Sequence, residues 1–72
     1  MNDRDKRAYV LLSLWKRFDE LYRECTEELS EVLRDVNCYD YQRILTLWEL
    51  INRYDEKMND IKHQLESLVE TY

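Results

Sequence analysis

Apolar residues in the first half of the chain recur at Leu11, Trp15, Phe18, Tyr22, Cys25, Leu29, Val32 and Val36, in alternating steps of four and three. Side chains at that spacing line one face of a helix, as they do along a heptad seam. The second half repeats the pattern at Ile44, Leu47, Ile51, Tyr54, Met58, Ile61, Leu65, Leu68 and Tyr72. The two seams are out of phase. Seven residues after Val36 stands Arg43, whereas the second seam begins at Ile44. One uninterrupted helix would carry the second seam off the face of the first, so the pattern predicts two helices. The break falls at Asn37-Cys38-Tyr39-Asp40. Asn tolerates the left-handed conformation that ends a helix, and Asp is a good N-cap for the next. Asn2 or Asp3 is placed to cap the first helix, and Asp5 complements the dipole of its first turn.

The spacing therefore predicts helix one over about 3–36, a turn at 37–40 and helix two over about 40–70. Each helix would be roughly 45–50 Å long at 1.5 Å per residue. A link this short favours antiparallel neighbours. The fold class expected is all-α: an antiparallel two-helix hairpin with coiled-coil-like packing, forming a single domain over residues 1–72.

The hairpin core expected from the seams comprises Leu11, Phe18, Tyr22, Cys25 and Leu29 on helix one. On helix two it comprises Ile44, Leu47, Ile51, Tyr54, Met58, Ile61 and Leu65. A two-helix seam needs only a narrow apolar stripe, and this chain has more. Val10, Leu14 and Leu21 lie on one flank of the first seam, with Leu12 and Ala8 on the other. Residues 8–15 are apolar nearly all round, which is usual for a helix covered on several sides. On helix two, Tyr41, Leu45 and Trp48 widen the apolar arc, and Leu50 widens its opposite side. Val10, Leu14, Trp15, Leu21, Tyr41, Leu45, Trp48 and Leu50 are thus the candidate partner-binding residues. Burying a Leu-sized side chain contributes about 1.5–3 kcal/mol, so this surplus is a strong incentive to bind a protein. Trp and Tyr are favoured anchors at such surfaces. A different partner is favoured over self-pairing. The alternative is a homodimeric four-helix bundle that acts as an adaptor or regulatory protein.

Composition narrows the picture further. The 72 residues include no Gly and no Pro, the residues that supply tight turns and strand punctuation. A β-rich fold or a phosphate-cradling loop is excluded on that ground. A chain this short buries a modest core and often needs a partner, metal or disulfide. The net charge of −5 is unevenly spread: +3 over residues 1–18, −6 over 19–40 and −2 over 41–72. An acidic total argues against nucleic acid as a partner. Cys25 and Cys38 are too few for a disulfide framework and are expected to be reduced. No apolar run approaches the roughly 20 residues that span a bilayer. The first seven residues mix acidic with basic groups, unlike a signal peptide. A cytoplasmic protein is expected.

Candidate chemistry is sparse. His63 has Glu56, Asp60 and Glu66 at helical spacing, but a bundle metal site needs inward ligands from more than one helix. Ser13 and Ser30 have no base beside them in any local motif. The many carboxylates sit on outward faces, with no cleft-forming element to shift them. Neither a catalytic site nor a cofactor is expected, and the chain is not expected to be an enzyme. Lys6, Arg7, Lys16 and Arg17 beside Leu and Trp suggest a membrane-surface helix only until the acidic stretch that follows is considered.

These features meet in a resemblance. Tyr41-Gln42 at the start of helix two, the apolar-rich run with Trp48, Leu50 and Ile51, and the layout of two helices in about 70 residues resemble the needle co-chaperones of bacterial type III secretion systems, of the YscE and PscE type, and most nearly their EscE branch. The resemblance spans the whole chain. It implies a hairpin that pairs with a larger helical-repeat co-chaperone and stabilises it. Through that chaperone the pair would keep the needle subunit monomeric and soluble before export.

Overall fold

The computed structural model describes residues 2–34 and 40–70, and these form two long helices, α1 (Asp3–Arg34) and α2 (Tyr41–Glu70). They run side by side along a body with extents of 55 × 17 × 13 Å. The fold is the all-α hairpin expected from the two seams. Of the expected turn at 37–40, residues 37–39, Cys38 among them, lie outside the described residues, as do Val36 and Tyr72.

Both helix starts are capped as the side chains dictate. The Asn2 Oδ1 accepts the Asp5 backbone N–H at 2.8 Å, and the Asn2 carbonyl accepts the Lys6 N–H at 3.1 Å. Asp40 repeats the arrangement for α2, its Oδ1 accepting from Arg43 N–H at 3.2 Å and its carbonyl from Ile44 N–H at 3.0 Å. Each cap satisfies backbone donors that the first helical turn leaves without partners. Asp40 lies just outside the helix in this role, so α2 begins one residue later than the spacing suggested. Asp3 and Asp5 in the first turn of α1 and Arg34 in its last turn oppose the charges of the helix ends. Thr26 and Thr46 donate their hydroxyls to the Arg23 and Gln42 carbonyls at 2.9 and 2.8 Å, so neither competes for a helical N–H.

The seam holds the hairpin together. Leu11, Leu47, Ile51 and Ile61 are buried, at 5–7% exposure. The other expected core residues (Phe18, Tyr22, Cys25, Leu29, Ile44, Tyr54, Met58 and Leu65) are half-buried. Midway along, the Phe18 and Tyr54 rings meet at 6.1 Å between centroids, tilted by 38°. Two helices enclose a residue from only one side, which is why the seam is seldom buried outright. Partial burial raises the Cys25 thiol above its ordinary pKa, and neighbouring Glu24 adds to the effect.

The chain has 6027 Å² of accessible surface. A globular monomer of its mass would expose about 4,900 Å². The extra area, on the order of 1,100 Å², is the geometric cost of a two-helix body and is the scale of one protein–protein interface.

Candidate protein interface

The residues outside the seam fall on two broad faces, and antiparallel packing decides which flank of α1 shares a face with which flank of α2. Two contacts fix the assignment. Near the chain reversal, the Arg43 guanidinium donates to the Glu28 carboxylate. Near the opposite end, Leu12 and Trp15 of α1 share a shallow, almost wholly apolar groove with Lys62 and Leu65 of α2. Residues seven apart follow one line along a helix in a heptad-packed pair. Glu28 therefore continues the line of Leu14 and Leu21, and Arg43 continues into Leu50 and Lys57. Leu12 continues through Asp19 and Thr26 to Leu33. Lys62 stands on the line Tyr41, Trp48, Asp55 and Val69.

One face, the aromatic face, carries Leu12, Leu33, Tyr41, Trp48 and Val69, all exposed, with Trp15 at the seam edge and Tyr9 and Leu45 on the outer margins. Tyr41 and Trp48 are 74% and 56% exposed. Apolar groups gather towards both ends. Between them Asp19 and Asp55 stand at one level and form an acidic waist. Asp19 is held by Arg23 at 3.3 Å. The groove at the open end extends past Lys62 and Leu65 to Val69.

The opposite face, the leucine face, is smaller and quieter. Leu21 and Leu50 are half-buried, Leu14 is 46% exposed, and Val10 lies on the outer margin. Charges frame the leucines: Arg7 and Lys57 towards the open end, and the Glu28–Arg43 pair towards the reversal.

The candidate partner-binding residues thus do not form one surface. Leu14, Leu21, Leu50 and Val10 lie on the leucine face, and Trp15, Tyr41, Leu45 and Trp48 on the aromatic face. Residues 8–15, expected to need cover on several sides, contribute only Leu11 to the buried seam and Ala8 at half burial. Tyr9, Val10, Leu12, Leu14 and Trp15 are all exposed. Sequence reasoning left Tyr9, Leu12, Leu33 and Val69 out of the set. Leu33 lies three heptads beyond Leu12, and Val69 three beyond Trp48, so a flank line drawn at seven-residue steps would have found both.

His63 is exposed, with Nδ1 3.8 Å from Glu66, an ion pair only when the imidazole is protonated. Among the described residues no group of three or more His, Cys, Asp or Glu is placed to hold a metal ion. Among the same residues no helix is long and apolar enough to cross a membrane. No protein-family model matches the chain, and no curated protein or solved structure matches it.

Proposed function

We propose that the chain is a protein-binding co-chaperone whose aromatic face docks into a larger helical-repeat chaperone, and that the pair keeps a type III secretion needle subunit soluble in the bacterial cytoplasm before export. The observation that carries the reading is the exposure of Tyr41, Leu45 and Trp48 together at one end of that face, with Leu12, Trp15 and Val69 at the other. Aromatic anchors flanked by aliphatic groups are the usual makings of an interface hot spot. The resemblance in layout and in the Tyr41-Gln42 to Ile51 segment supplies the identity of the partner. The concave wall of a stacked-helix repeat suits a rod with grease at both ends. Such a partner would also stabilise a marginal hairpin by mass action.

The acidic waist adds a requirement. A partner that covers both apolar ends must set a cation, or ordered water, against Asp55. Co-expression with the helical-repeat chaperone encoded beside a secretion needle subunit tests the reading. A stoichiometric complex that survives gel filtration and is lost in Trp48→Asp is the expected outcome. Wild-type chain that elutes apart from every such chaperone would overturn it.

A further inference from the structure

The geometry points to an acidic amphipathic helix as the occupant of the leucine face, laid along the hairpin as the third member of a helical bundle. The inference does not rest on the helical-repeat partner, which takes the opposite face. Its basis is the charge at the middle of the leucine face. The Phe18–Tyr54 ring contact sets the two helices level at that point, so Arg17 and Arg53, each one residue earlier, stand on either side of it. Arg17 follows Leu14 by three residues and precedes Leu21 by four. Arg53 stands in the same relation to Leu50 and Lys57. Residues at those spacings are neighbours on a helix surface.

Three cations therefore rim a floor of three leucines. Between the levels of Leu14 and Leu21, the lines of this face carry Arg17, Arg53 and Lys57 and no acid. The acids on those lines, among them Glu24, Glu28 and Asp60, stand nearer the ends. Glu28 is taken by Arg43 within the hairpin. Arg17 meets Glu20 at 3.6 Å in a pair exposed to water, which contributes little and is readily exchanged. Among the described residues Arg53 and Lys57 take part in no ion pair.

The floor is a shallow trough between two rods. Leu21 and Leu50 are half-buried in it, and Leu14 is 46% exposed. A third helix fits such a trough with one apolar stripe, and carboxylates on either flank of that stripe meet the rim. A helix of about 20 residues is roughly 30 Å long, enough to cover the face from Arg7 to Glu28. The apolar floor is small, so the complex is a weak one, with a Kd on the order of tens of micromolar.

Nuclear magnetic resonance titration of the isotope-labelled chain tests the proposal. The probe is a capped peptide of about 20 residues with Leu at heptad spacing and Glu on both flanks of the stripe. Its counterpart has Lys in place of each Glu. The acidic peptide is expected to bind, with amide shifts gathered at 14–21 and 50–57, and the basic one to bind at least about tenfold more weakly. The double variant Arg53→Glu with Lys57→Glu, its helicity checked by circular dichroism, should reverse that preference. Trp48→Asp should leave it unchanged. Equal binding of the two peptides, shifts gathered at Tyr41 and Trp48, a double variant that keeps the wild-type preference, or no binding of the acidic peptide would overturn the proposal. So would capture of the chain by phosphatidylglycerol vesicles with the acidic peptide unable to compete, because the cations would then serve a membrane surface.

Discussion

The two broad faces of this hairpin are built on the same seam and by the same heptad rule, yet they carry different kinds of stickiness. The aromatic face offers large exposed rings at both ends and an acidic level between them, where Asp19 is held by Arg23. The leucine face offers aliphatic groups, two of them half-buried, inside a frame of Arg7, Lys57 and the Glu28–Arg43 pair. The difference teaches that apolar area alone does not name an occupant. Charge adds what area leaves out: Asp55 at the acidic waist calls for something cationic, whereas the leucine face is framed by Arg7, Arg43 and Lys57 against Glu28.

The comparison can be broken at its shared root. Ile51 is buried in the seam that supports both faces. Ile51→Ala should lower stability by about 2–5 kcal/mol and weaken partner capture with it. Equilibrium denaturation reads it, and a variant as stable as wild type would mean that the seam does not hold the faces in place. The next largest effect separates them. Trp48→Asp should cost more than about 2 kcal/mol in capture of the helical-repeat partner, some thirtyfold, while the hairpin loses less than about 1 kcal/mol. Calorimetry and thermal melts give the two numbers. Asp40→Ala comes third. Loss of the cap should destabilise the chain by about 1 kcal/mol and fray α2 from Tyr41, so partner capture should weaken. The smallest is Glu28→Gln. The Glu28–Arg43 pair is exposed to water, so its loss should change hairpin stability by at most about 0.5 kcal/mol. A larger drop in the melt would mean that the pair, rather than the seam, pins the register.

The seams were legible because each helical turn contributes one unmistakable apolar position, and the one-residue phase slip at Ile44 marked the break. The caps were legible because Asn2 and Asp40 are short acceptors placed just before helical runs. The pairing of flanks was not legible. It depends on the longitudinal register of α2 against α1, and nothing in either helix alone states that Glu28 lies level with Arg43. Leu33 and Val69 escaped notice because each directly follows a seam residue, Val32 and Leu68, and so reads as a thickening of the seam rather than as part of a flank. Their meaning lies in residues three heptads away.

The open end of the hairpin has one more consequence. Glu28 and Arg43 are 15 residues apart in the chain, so little freedom is lost in bringing them together. Leu12 and Leu65, which share the far groove, close a loop of about 50 residues, and that closure is entropically dearer by roughly 1 kcal/mol. The protein should therefore unzip from its termini like a clothes peg, with amides near 8–15 and 62–69 exchanging hydrogen ahead of those near 28 and 43. Whatever clasps the jaws sets how long the peg stays shut.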